Sequence, residues 1–179
     1  MKTIKEVIET HKYKNKIALH LMIEGFLSLD ESKGNEDILE LIKNNDFDSK
    51  ASDFKKSLDK SKHGEMLTDY DVKDLKKMKL FKLKGYNIGF ALKKKDGKFN
   101  EIVAVHNNEP NVKGIGSILM QAAITNGGVY LDHFDGFLTK FYQKLGFEEI
   151  SRDKFDPQYD EDGSFRAKYG EADIIYRKL

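Results

Sequence analysis

The chain of 179 residues has no cysteine. Disulfides and thiolate zinc sites are therefore excluded. Its five histidines are scattered, and none shows a ligand spacing such as HExxH, so no metal site is expected. Charge of one sign is also lacking: 31 Lys and Arg face 30 Asp and Glu. Residues 1–80 carry 16 basic and 16 acidic side chains, and the remainder 15 and 14. Non-specific nucleic-acid binding thus has no support from the overall charge. The Lys93-Lys94-Lys95 run reads as a solvated hairpin tip. The N-terminus shows no long apolar run and no small-residue cleavage site. The longest nearly apolar stretch, Ile17 to Leu29, is too short for a membrane span and is broken by His20 and Glu24. A soluble, cytoplasmic protein with no membrane partner is the expectation. There is no internal repeat and no low-complexity tract.

The length suits one domain, residues 1–179, able to bury roughly 70% of its unfolded surface. Residues 1–80 read as a helical N-terminal region with mixed signals, and residues 81–179 as the better-patterned core. In the first part, Lys2–Glu9 allows a short helix, and Lys16–Leu29 mixes helix and strand signals around Gly25. Ile38, Leu39 and Ile42 have helical spacing, as do Phe54 and Leu58. Thr68-Asp69-Tyr70-Asp71 reads as a helix start, a Thr or Asp cap ahead of Val72, Leu75 and Met78.

The second part is clearer. Tyr86–Leu92 and Phe99–Val105 read as strands joined by Lys95-Asp96-Gly97-Lys98, whose Asp-Gly pair suits a tight reversal. A loop, His106–Lys113, leads to a helix over Gly114–Asn126 that ends at Gly127-Gly128. Val129–Phe134 is the next strand, so strand, helix and strand form a βαβ unit with parallel strands. Asp135 is placed to cap a helix over Gly136–Leu145. Phe147–Ser151 and Ala172–Leu179 are the last strands, separated by a long polar loop, Asp153–Glu171. The expected class is α/β, with a mixed central sheet, an antiparallel hairpin, a parallel βαβ pair and helices on both faces.

Asn111-Val112-Lys113-Gly114-Ile115-Gly116-Ser117 lies between a strand and a helix. The first turn of a helix has unpartnered N–H groups and about half a positive charge, and glycines let the backbone close on a phosphate. Lys113 or Ser117 can assist. A Gly-x-Gly pair alone is equally a helix start. The segment is neither a Walker A loop nor a dinucleotide fingerprint, since Leu119 stands where a third glycine belongs.

Downstream, Phe141-Tyr142-Gln143-Lys144-Leu145-Gly146-Phe147 closes a helix and enters a strand. It resembles the Y-x-K-x-G-F segment of the GNAT acyltransferase superfamily. The upstream loop is similar to that family's Q/R-x-x-G-x-G/A pyrophosphate loop, with Asn111 in place of Gln or Arg. The resemblance covers roughly residues 81–179. Leu131-Asp132-His133-Phe134-Asp135-Gly136-Phe137-Leu138, Phe155-Asp156-Pro157-Gln158-Tyr159 and Met78-Lys79-Leu80-Phe81 look like a narrower set of phage- and prophage-encoded GNAT-like proteins.

The resemblance implies a set of roles. Acetyl-CoA (or CoA) is the cofactor, held by the backbone of Val103, Ala104 and Val105 and by residues 111–117. Tyr142 is the acid toward the CoA thiolate, or else simply part of its helix's buried stripe. Asp135 replaces a cofactor-contacting Asn, and helix capping is its other reading. Glu101 resembles a catalytic Glu in position, and burial beside Val103 would raise its pKa. An exposed strand-edge Glu is the alternative. His106, then His133, are the other base candidates, since imidazole titrates near neutrality; a water chain needs no single base. The acceptor is an amine of a protein, peptide or small molecule, and a homodimer is left open. The alternative function is an inactive GNAT-like module that binds a host or phage protein; Asn111 and Asp135 favour it.

Overall fold

The computed structural model describes residues 36–61 and 66–179. The readings of Lys2–Glu9 and Lys16–Leu29 fall outside these residues. The expected α/β class is what the structure shows. The described residues divide into two compact units, one ending at Val129 and the other covering residues 130–179. No helix among the described residues is long and apolar enough to cross a membrane.

The described part of the larger unit opens with helix α1 (Glu36–Lys43), a two-residue strand β1 (Phe47–Asp48), helix α2 (Ala51–Leu58) and the single turn α3 (Val72–Leu75). Asp71 caps α3 by accepting the Asp74 N–H at 2.7 Å. The expected helix stops at Leu75, short of Met78. Strands β2 (Lys79–Leu83), β3 (Ile88–Lys95) and β4 (Lys98–Asn107) follow, then helix α4 (Gly116–Thr125). β1 to β4 form an antiparallel ladder in chain order. The β3–β4 reversal places Asp96 at φ 53 and Gly97 at φ 78, the two left-handed positions a type I′ hairpin requires.

β3 is buried from Ile88 to Leu92, so both of its faces are covered. On one face, Ala51, Phe54 and Leu58 of α2 and Leu75 of α3 pack on Leu80, Ala91 and Ala104. Phe81 and Phe90 stack at 4.6 Å, with Phe47 edge-on to both. Helices α2 and α3 thus share a core with β2, β3 and β4.

The β3–β4 ladder is not regular. Gly89 pairs with His106 and Ala91 with Val103, so β4 holds one extra residue there. Ala104, inside this bulge, sits at φ 52. A left-handed alanine costs about 1–2 kcal/mol, so its surroundings must impose it. A second bulge lies at Asn100, whose carbonyl accepts the Val129 N–H at 2.8 Å.

In the smaller unit, β5 (Tyr130–Phe134), helix α5 (Phe137–Lys144), β6 (Glu148–Asp153), helix α6 (Ser164–Tyr169) and β7 (Ile174–Lys178) follow one another. β7 pairs antiparallel with β5 on one side and β6 on the other. The segment read as a long polar loop is structured. Buried Asp160 accepts the N–H groups of Phe165 and Arg166 and so anchors the start of α6. Phe165 then packs on Phe134, Phe155 and Tyr169.

Gly89 is a close-approach position. A Cβ there would lie 2.6 Å from the Phe81 carbonyl oxygen and 3.2 Å from Cε1 of His106. Backbone cannot yield as a flexible side chain can, so Gly89→Ala should lose about 1–3 kcal/mol in urea unfolding. A variant as stable as the parent would contradict this register.

Candidate functional site

The segment after β4 is held by a series of amide contacts. Asn87 donates its backbone and side-chain N–H groups to Oε1 of Glu109, at 2.5 and 2.8 Å. Asn108 donates from its backbone to the Asn87 carbonyl and from its side chain to the Ser57 carbonyl. The Asn107 side chain donates to the Val112 carbonyl and accepts the Glu109 N–H. Asparagine suits this work because its short side chain mimics backbone groups. The loop is therefore fixed before α4 begins.

Gly114 adopts φ 73, and Ile115 follows at φ −88, ψ −2. A left-handed residue followed by a right-handed one turns successive N–H groups toward one point, the geometry of an anion nest. No side chain caps α4. Among the described residues, no protein acceptor meets the N–H groups of Gly116, Ser117 or Ile118. Gly114 and Gly116 are exposed, whereas Ile115 and Ile118 anchor the turn in the core. Asn111 and Lys113 are exposed, and Val112 and Ser117 are half-buried. The arrangement can accept a phosphate-like anion through backbone donors and the helix dipole.

The candidate bases are placed quite differently from one another. Glu101 pairs across the strand with Lys93 and holds ion pairs to Lys95 at 3.4 Å and Lys93 at 3.9 Å. His106 lies in the core, 4% exposed. Its Nδ1 meets the Ala104 carbonyl at 2.9 Å, and its Nε2 meets the Ser57 hydroxyl at 2.8 Å. A carbonyl only accepts, so Nδ1 carries the proton. Burial pushes the imidazole pKa down. The ring is then neutral, and Nε2 accepts from Ser57. With both nitrogens engaged, His106 has no free lone pair for an amine.

His133, in the smaller unit, repeats the arrangement. Nδ1–H donates to the Phe134 carbonyl at 2.8 Å, and Nε2 accepts Nε–H of Arg177 at 2.8 Å. Burial lowers its pKa first, and the Arg177 charge lowers it further. Arg177 is itself buried, with Nη1 on the Phe147 carbonyl at 3.1 Å and Nη2 without a partner among the described residues. Residue patterns did not single out Arg177. The signal available was the place of Arg177 two residues after Ile175, on the same face of the closing strand Ile174–Lys178 as that apolar residue.

Tyr142 is buried on α5, its ring 5.0 Å from that of His133 and 6.1 Å from that of Phe147. Burial pushes the phenol up to about 12, with Asp132 adding to the effect. It stays protonated at neutral pH and can donate a hydrogen bond. Asp135 is not the cap of α5: Gly136 holds that position, and the Thr139 hydroxyl accepts the Gly136 N–H. The Asp135 carboxylate instead accepts from the Thr139 hydroxyl at 2.6 Å and from Arg152 at 2.7 Å. These two bonds, Thr139 foremost, hold its pKa down. Arg152 also bridges Glu149 and Asp173.

His106 and His133 both have native pKa values below the unfolded imidazole value of about 6.5. Above that pH neither form takes a proton, and this stabilising contribution is complete. As pH falls, the unfolded chain binds protons that the native state refuses. Stability should then drop by up to about 1.4 kcal/mol per pH unit per histidine until the native pKa is passed. Urea unfolding at pH 7.5 and 5.0 measures this, and His106→Asn should shrink the difference; an unaltered difference would contradict a neutral, buried His106.

No family model matches the chain, and no curated protein or solved structure matches it.

Proposed function

We infer that the chain is an acyl-CoA-dependent N-acyltransferase of the GNAT type, acting on an amine of a protein, peptide or small molecule. The observation that carries this reading is the exposed nest at Gly114–Ile118, directly downstream of a strand broken at Ala104. A pyrophosphate needs convergent N–H donors, and these residues supply them with no competing acceptor among the described residues. The β4 bulge falls within Val103–Val105, the segment that the family resemblance assigns to cofactor contact.

Bound acetyl-CoA would supply an acyl group activated as a thioester. The chain's residues must then hold it, stabilise the oxyanion and manage two protons. Tyr142 suits the thiolate side as a permanently protonated donor. A phenol near 12 is a weak acid toward a thiol of about 8.5, so it serves by hydrogen bonding more than by complete transfer. On the amine side, the engaged nitrogens of His106 and His133 disfavour both as bases. Glu101 is bound to lysines. A water chain is the base this arrangement favours.

One observation favours the second reading, a catalytically idle GNAT-like module that binds a host or phage protein. Asp135 keeps a depressed pKa, and its charge belongs to the Thr139–Arg152 network. The family resemblance has a neutral, cofactor-contacting Asn at this position, and a carboxylate is a poorer neighbour for a phosphate.

Thermal unfolding with acetyl-CoA at about 100 times its Kd should show roughly 2.7 kcal/mol of added stability. No shift at millimolar acetyl-CoA would overturn the enzyme reading in favour of the second. Gly114→Ala places a Cβ at φ 73 and should weaken binding about tenfold. Tyr142→Phe should lower kcat by roughly 10-fold to 100-fold while leaving Kd within a factor of about two. An unchanged kcat would remove Tyr142 from the mechanism.

A further inference from the structure

The break in β4 has a cause outside the cofactor loop. Alanine gains nothing from φ 52, so the conformation at Ala104 must be held by a partner. The described contacts offer one. His106, two residues on, donates Nδ1–H to the Ala104 carbonyl at 2.9 Å. The imidazole cannot easily turn away. Ser57 of α2 holds Nε2 at 2.8 Å, and Phe54 packs edge-on at 5.3 Å. Gly89, its partner on β3, leaves room for the ring only because it has no Cβ. Lys82 of β2 is the charged group that acts on it.

We propose that His106 is a positioning residue for the acyl-CoA site: it pins the Ala104 carbonyl inward, and so fixes the backbone of Val103 and Val105 for the cofactor. This rests on the acyltransferase reading. The Ser57–His106–Ala104 series links α2 to the bulge, and Asn108 ties the same Ser57 to the start of the loop. A shift of His106 therefore moves the bulge and the loop together.

A residue that merely fills the core differs from one that pins a carbonyl, and two variants separate them. Asparagine at 106 puts an amide N–H near the place of Nδ1–H and keeps the bond to Ala104. Glutamine reaches Ser57 and leaves the Ala104 carbonyl without its donor. Both remove the ring. With CoA as the titrant in calorimetry, His106→Asn should bind within about threefold of the parent, and His106→Gln at least tenfold more weakly. Glycine adopts positive φ without strain, so adding Ala104→Gly to His106→Gln should recover most of the affinity. Equal affinities for the Asn and Gln variants, or a folded double variant that fails to recover, would overturn the proposal. Should the Gln variant not fold, the double variant carries the test alone. If the parent chain binds no CoA, the acyltransferase reading fails. The clamp is then judged on crystal structures of the variants: φ at residue 104 should stay positive with Asn and turn negative with Gln, and the same φ in both would sink it.

Discussion

The larger unit depends on one buried hydrogen-bond series, from the Ser57 hydroxyl through His106 to the Ala104 carbonyl. A strand in a covered sheet cannot leave backbone groups unpaired without a cost of about 1–3 kcal/mol for each. The extra residue in β4 creates that problem at Ala104. A side chain with a donor at short reach and an acceptor beyond solves it, and neutral imidazole has both. Serine completes the series because its hydroxyl donates to Nε2 while its own carbonyl accepts from Asn108. The order imposed on β4 therefore extends, through Asn108, Asn87 and Glu109, into the loop that opens α4.

The smaller unit meets a similar demand with a permanent charge. His133 again turns Nδ1–H to a backbone carbonyl, but Arg177 rather than a hydroxyl serves Nε2. A buried guanidinium with no ion pair among the described residues is costly. Part of that cost is offset by the Phe147 carbonyl. The arrangement forbids protonation of His133 more strongly than burial alone, since an imidazolium would face a guanidinium. Both histidines are thus structural acceptors, and their neutrality is a condition of the fold rather than a catalytic provision.

Which features were legible in the sequence follows from how local their causes are. Asp96-Gly97 forms its reversal from two adjacent residues, so the hairpin was readable. The helix starting near Gly114 and the one starting near Phe137 carry their signals within one turn. β2 escaped because Lys79-Leu80-Phe81-Lys82-Leu83 buries Leu80 and Leu83, three apart, and shows no alternation. Two-residue β1 is too short for any period. The fate of His106 depends on Ser57, 49 residues earlier, and on Gly89 across the ladder. Titration near neutrality made it look like a base; burial, which no local pattern announces, removed it from that role. Asp135 misled by one position, since Gly136 takes the cap.

The departures from the family pattern differ in weight for a physical reason. At Gly114–Ile118 the donors proposed for an anion would be backbone N–H groups oriented by Gly114 and supported by the helix dipole. Such a cradle does not depend on the side chain at position 111. An exposed Asn111 in place of a cation therefore forgoes one screened surface charge, worth about 0–1 kcal/mol. Asp135 is another matter, because it adds an anion where the pattern has a neutral amide. Arg152 sits on that carboxylate, and Asp173 and Glu149 share the same guanidinium, so the neighbourhood remains acidic. At the loop the backbone decides what can bind, and at position 135 a side chain does.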